Sequence, residues 1–268
     1  MRANIAGVEQ SLFDIKLQNG TCSIQEIRLP IFAPLSRTSP KSAIYNDFLA
    51  NKRTRIVETS WGKVQVKGSL LTQVHKDLLD LIILNADRKK ITSDGRLLIE
   101  FSTNKVLKSY GDKGENYKWF RAMLEDIMGS VISLETSDKK GFAFHIISAM
   151  KYDDNKEFMG ILLSSEYLKF YKESFAVNYN REIVNLIGIE SSIIKSIVRF
   201  FLSHTSLNIS TDDLFKAVGV KADKKDRFYR HIKQLIAENE ETLRKFGITL
   251  ENDIFYYKGN SNVKFYLN

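Results

Sequence analysis

The chain repeats itself once, in the same order, at a spacing of just over one hundred residues. Ser102–Gly111 aligns with Ser210–Gly219 at an offset of 108, Lys118–Ile127 with Arg227–Ile236 at 109, and Ile132–Glu135 with Ile248–Glu251 at 116. A period of this length is far beyond a solenoid unit, so the expected origin is a duplicated domain. Each copy reads as a short helix, a second helix and a β-hairpin. At 268 residues the chain can hold two such domains, each with its own core.

The local signals agree between the copies. Val74, Leu78, Leu79 and Ile82 form an apolar stripe at helical spacing, as do Ile193, Ile197, Val198 and Phe201. A short strand follows each, Leu97 to Phe101 or Leu207 to Ile209. Next come Ser102-Thr103 or Ser210-Thr211, whose hydroxyls suit helix N-caps, and Gly111 or Gly219, placed where a helix takes a left-handed terminator. The following helix is expected to bury Phe120, Met123, Leu124 and Ile127 in one copy, and Phe228, Ile232, Leu235 and Ile236 in the other. Its outward face is then Lys118, Arg121, Ala122 and Glu125, or Arg227, Arg230, His231 and Gln234. Alternating strands flank Ser137–Gly141 and Glu251–Asp253, a further strand covers Met159 to Leu163, and Ser165 to Glu173 suits a linking helix.

Helix, strand, helix, turn, helix and hairpin is the order of a winged helix-turn-helix. The expected fold class is α+β, with two tandem winged helix-turn-helix domains. The expected boundaries are a flexible N-terminal arm over 1–27, a first domain over 28–176 and a second over 177–268. Pro30, Pro34 and Pro40 mark an extended entry segment before the first domain.

Charge points toward a polyanionic partner. The formal net charge is +8, and Lys216 to Lys233 alone carries seven Lys or Arg against two Asp. Arg37 to Lys67 has the same balance, and a solvated face accounts for it equally well. In the second copy, Arg227, Arg230, His231 and Gln234 are the expected base readers, because Arg matches guanine and Gln matches adenine through paired hydrogen bonds. Lys224, Lys225 and Lys233 suit phosphates, which position a helix without reading sequence. Lys118 and Arg121 offer a poorer reading face. Lys139, Lys140 and Lys258, at hairpin turns, are further phosphate candidates. A solvated amphipathic helix in a protein-binding domain is the plain alternative.

Three stretches carry a family resemblance: Arg28–Arg37 with its prolines, the basic run Lys52-Arg53-Thr54-Arg55, and Glu9-Gln10-Ser11-Leu12-Phe13. On these and the tandem order, the chain resembles the TrfA-type plasmid replication initiators and, more broadly, Rep initiators built from tandem winged helices. The resemblance implies binding of double-stranded DNA at repeated origin sites, local duplex opening, recruitment of host helicase, and a monomer–dimer equilibrium. Ser11, Leu12 and Phe13 match the end of a Gln-Leu-Ser-Leu-Phe motif by which such initiators engage the sliding clamp, while Glu9 and Gln10 depart from it. Leu12 and Phe13 equally suit docking of the arm on its own domain.

Other chemistries find little support. Neither Gly-x-x-x-x-Gly-Lys-Ser/Thr nor Gly-x-Gly-x-x-Gly occurs, the four histidines lack metal-ligand spacing, and the single cysteine, Cys22, permits no internal disulfide. Asp153-Asp154 and Asp212-Asp213 are paired carboxylates of the kind that holds Mg²⁺ in a metal-dependent primase or nuclease. The second pair more simply favours a helix first turn. No apolar stretch is long enough to span a bilayer and no leader is visible, so a cytoplasmic location is expected. The expected protein is non-enzymatic, with no catalytic residue, metal or cofactor. A winged-helix transcriptional regulator without a replication role is the alternative within DNA binding.

Overall fold

The computed structural model describes residues 22–59, 62–111, 115–152, 158–173, 176–220 and 227–266. It begins with β1 (Cys22–Ser23) and α1 (Ile24–Arg28), passes the proline segment, and continues through α2 (Ala43–Ala50), β2 (Thr54–Thr59), β3 (Gly62–Lys67) and α3 (Gln73–Leu84). Next come β4 (Arg88–Ile91), β5 (Leu97–Ser102), α4 (Thr103–Tyr110), α5 (Tyr117–Gly129), β6 (Val131–Thr136), β7 (Gly141–Phe144), β8 (Ile147–Tyr152), β9 (Phe158–Leu163) and α6 (Ser165–Glu173). Then β10 (Ala176–Asn178), a 3₁₀ turn and α7 (Ile183–Ile187) lead to α8 (Ser192–Leu202), β11 (Leu207–Ser210), α9 (Thr211–Ala217), α10 (Arg227–Glu238), α11 (Glu240–Lys245), β12 (Ile248–Glu251), β13 (Ile254–Tyr257) and β14 (Lys264–Tyr266). The architecture is mixed α+β.

Local chemistry sets the shared helices. Ser102 and Ser210 cap α4 and α9, accepting from the amides of Lys105 at 3.4 Å and Asp213 at 3.2 Å. Gly111 ends α4 in the left-handed conformation, and Gly219 takes φ +72° just beyond α9. Asp212 and Asp213 occupy the first turn of α9.

The sheets do not follow the repeat. In the C-terminal copy, β11, β13 and β12 close one antiparallel sheet in that order. In the N-terminal copy the corresponding strand, β5, pairs with β4 and β9, whereas the hairpin after α5, β6–β7, adds to β3. The result is two four-stranded sheets, β2-β3-β6-β7 and β4-β5-β9-β8. The additional strands β2, β3, β8 and β9 draw the two partners of the repeated pattern apart.

Two expectations about organisation require correction. Residues 22–27 are not part of a flexible arm: β1 pairs with β10, Ile24 is buried and Glu26 is 1% exposed. Nor do the halves have separate cores, since one hydrophobic cluster runs from Ile24 to Val263. The expected boundary at 176/177 falls inside β10, which lies between β1 and β14.

The continuity comes from α3 and α8, the first helices of the two copies. Apart from Val74 and Leu84, every residue of α3 is buried, and α8 is buried from Ile194 to Leu202. Both helices nevertheless carry charges. Asp77 bridges Lys195 Nζ at 2.6 Å and Arg199 Nη2 at 2.8 Å, while Asp80 receives Arg199 at 2.9 Å and Lys76 at 2.7 Å. Lys76 also reaches Glu26 at 2.9 Å, Gln73 accepts from Arg199 at 2.7 Å, and the Tyr179 hydroxyl donates to Asp80 at 3.0 Å. Three acids and three bases thus meet in the interior with no net charge. Burial works against the Arg199 charge, but Asp77 and Asp80 outweigh it and hold its pKa above the ordinary value.

A second tie lies at the C-terminal end of α8. Arg28 donates to the Ser203 hydroxyl at 3.2 Å and to the Ser203 carbonyl at 2.7 Å. His204 Nδ1 lies 2.8 Å from the Phe200 carbonyl. Burial, and then the nearby Arg28 charge, lower the His204 pKa to about 4.

Removing Asp77 takes the acid partner from buried Lys195 and leaves one interior positive charge uncompensated, so Asp77→Ala is expected to cost about 3–5 kcal/mol in guanidinium unfolding. The paired change Asp77→Leu with Lys195→Met keeps the remaining charges balanced and is expected to recover most of that loss. His204 supplies a pH signature: the unfolded chain binds its proton more readily, so this contribution to stability is complete above about 6.5 and falls as pH drops toward 4. In His204→Gln, stability measured from pH 7.5 down to pH 4 is expected to lose that part of its slope.

Candidate nucleic-acid interface

Helix α10 is built as an amphipathic element on α9. Tyr229, Ile232 and Ile236 are its buried positions, while Phe228 and Leu235 are only half-buried, so Tyr229 takes the anchoring place expected for Phe228. Its ring meets Phe215 edge-on at 5.4 Å, and its hydroxyl donates to Asp212 at 2.8 Å. Burial first, and then the Asp212 carboxylate, push the Tyr229 pKa up to about 12.

This packing leaves Arg227, Arg230, His231 and Gln234 exposed along one face. Arg227, Arg230 and His231 have no hydrogen-bond or ion-pair partner among the described residues. Gln234 differs, since its amide donates to Glu238 at 2.8 Å. Lys233 is half-buried and bound to Asp253 at 2.5 Å, with its ammonium 5.9 Å from the Tyr229 ring. Both must release an internal partner before meeting a ligand. Lys224 and Lys225 lie outside the described residues, as do Ser11, Leu12, Phe13, Asp153 and Asp154.

The hairpin β12–β13 closes through Asn252 and Asp253 at φ +50° and +62°, the backbone of a tight two-residue turn. Thr211 holds that turn against the start of α9, donating from its amide to the Asp253 carbonyl at 2.9 Å and from its hydroxyl at 3.0 Å. Lys258 is exposed beyond β13.

In the N-terminal copy, Lys118 is exposed on α5, but Arg121 is committed to the fold. Its guanidinium lies 3.6 Å from the Tyr152 ring centroid, donates to Glu125 at 2.8 Å, and also donates to the Tyr152 hydroxyl. Lys139 is exposed at φ +62° in the β6–β7 turn, and Lys140 pairs with Asp138 at 3.1 Å.

The turn after α9 is held from the other half of the chain, a connection absent from the sequence reading. Arg55 of β2, 5% exposed, donates to the Pro30 carbonyl and, at 3.3 Å, to the Gly219 carbonyl. Surrounded by carbonyls, it loses hydration, and its pKa falls to about 10. The available signal was its place in a β-alternating run, where Arg55 falls on the opposite face from Ile56.

Among the described residues, no group of three or more His, Cys, Asp or Glu side chains is placed to hold a metal, and no helix is long and apolar enough to cross a membrane. No protein-family model, curated protein or solved structure matches the chain.

A side chain at Gly219 would meet both a left-handed backbone and the Arg55 guanidinium, with Pro30 Cβ 3.0 Å away. Gly219→Ala is therefore expected to cost about 1–2 kcal/mol from backbone conformation alone, read by urea unfolding.

Proposed function

We propose that the chain is a non-enzymatic, sequence-specific DNA-binding protein with tandem winged-helix domains, acting in plasmid replication initiation. The observation that carries DNA binding is the row Arg227, Arg230 and His231, exposed without partners on the helix that follows α9 and the Gly219 turn. An α-helix fits the major groove, and arginine is the side chain best matched to guanine there. The strand order β11-β13-β12 supports the winged-helix reading of the C-terminal copy. In the N-terminal copy Lys118 is suited to phosphate contact, whereas Arg121 is occupied by Tyr152 and Glu125. The role in replication rests on the resemblance of the entry segment, the basic run and the Glu9–Phe13 stretch to Rep initiators. Host helicase and sliding clamp are the proposed partners on that same ground.

Selection of bound sites from a random duplex pool, followed by titration at fixed salt, tests the reading. Arg230→Ala is expected to weaken binding to the selected site by about 1–3 kcal/mol and to relax preference at one position. Lys118→Ala is expected to weaken all sequences alike and to lower the salt slope by about 1. Unchanged affinity and preference in Arg230→Ala would remove α10 from the interface. Duplex opening at the selected site separates initiation from transcriptional regulation, which needs binding alone.

A further inference from the structure

Beside α5, on the N-terminal half, lies a cavity of about 490 Å³ that DNA reading does not use. Its walls come from the entry segment, α2, the turn before β2, α3 and α5. The size lies within the range of small-ligand sites.

Its chemistry is divided by position. Tyr45 and Phe48 of α2 supply one aromatic wall, with ring centroids 6.4 Å apart and planes 24° from parallel. Trp119 of α5 supplies another and is backed by Tyr110 at 5.5 Å. Arg37 and Arg53 line the cavity, both exposed, and neither guanidinium has a hydrogen-bond or ion-pair partner among the described residues. Arg53 follows Lys52 in a turn where both take positive φ, +53° and +56°, an uncommon conformation for two consecutive side-chain-bearing residues.

The polar remainder is His75 and Asp126. His75 is 4% exposed, and its Nδ1 accepts from the Thr72 amide at 3.0 Å, which places the proton of the neutral ring on Nε2. Nε2 is buried without a hydrogen bond and faces Asp126 Oδ2 at 3.5 Å. Asp126 takes the Ser69 hydroxyl at 2.7 Å on its other oxygen. His75, Ser69 and the Arg53 charge hold its pKa below the ordinary value against the cost of burial, so it is an acceptor at neutral pH.

We propose that this cavity binds a mononucleotide whose base carries an exocyclic amine. The aromatic walls match the planar base, the two guanidiniums without hydrogen-bond partners among the described residues match the phosphate, and Asp126 matches the amine as an acceptor. A simple anion leaves the aromatic walls unused, and a neutral ring leaves both arginines unpaired. The inference stands apart from DNA reading, because none of these residues belongs to the outward face of α10.

Isothermal titration of the full chain with adenosine monophosphate tests it. Saturable binding is expected, weakened about tenfold or more in Arg53→Ala and in Arg37→Ala, because each removes a charge-assisted contact. Adenosine, which lacks the phosphate, inosine monophosphate, which lacks the amine, and ribose 5-phosphate, which lacks the base together with its amine, are expected to bind at least about tenfold more weakly. Both arginines are exposed, so their variants should keep the thermal melt of the parent, and Arg37→Ala avoids the constrained turn altogether. Absence of saturable binding at millimolar nucleotide overturns the proposal, as does binding untouched by both arginine changes. Equal binding of ribose 5-phosphate reduces the site to an anion contact, and equal binding of inosine monophosphate removes the role of Asp126. Either result overturns the assignment.

Discussion

The pairing of Asp77 with Lys195 and Arg199 is the interaction on which the remaining architecture depends. Carrying any one of these charges into the interior unpaired costs several kcal/mol, so α3 and α8 can be buried together only in the register that matches them. Apolar helices of the same shape would pack in several registers with similar energies. The charges remove that freedom. Glu26 extends the constraint to α1 through Lys76, and Tyr179 extends it to the connection between the halves through Asp80.

Features governed by neighbours in sequence were legible. Ser102 and Ser210 cap helices because a hydroxyl three residues before a free amide needs no distant help. The hairpins around Ser137–Gly141 and Asn252-Asp253 follow from turn chemistry, and the outward set on α10 follows from helical period. The central charge cluster was not legible, because Asp77 meets partners more than a hundred positions away. Its trace was still present, as Asp77, Asp80, Lys195 and Arg199 interrupt apolar helices at spacings of three or four. Within the candidate interface, the period revealed which residues face outward but not what they touch. Arg121, Lys233 and Gln234 find partners inside the protein, and Tyr229 displaces Phe228 because its hydroxyl has Asp212 to bind.

The repeated sequence pattern is followed by the helices and not by the sheets. A cap, a terminating glycine and an apolar face are cheap to retain, since each is met locally. A strand's partner is a different matter, because any added strand competes for the same edge. Once β9 occupies β5 and β3 occupies β6, the N-terminal copy keeps its β6–β7 hairpin but no longer joins it to β5 in one three-stranded sheet as its counterpart does. Arg121 lies against Tyr152 of the added strand β8, so growth of the sheets also supplies a basic side chain with an internal partner.

The small sheet β1-β10-β14 has a consequence for how the chain is made. Cys22 pairs with Val177, and Val177 pairs in turn with Phe265, so the earliest described strand waits for the middle of the chain and the middle waits for the latest. During synthesis, α1 and Glu26 can dock on α3 long before β14 leaves the ribosome. The clasp formed by the three strands can therefore be completed only after residue 264 has been made, and closing it joins segments far apart in the chain. A nascent chain arrested before residue 264 would hold both α5 and α10 while still lacking the last strand of the clasp.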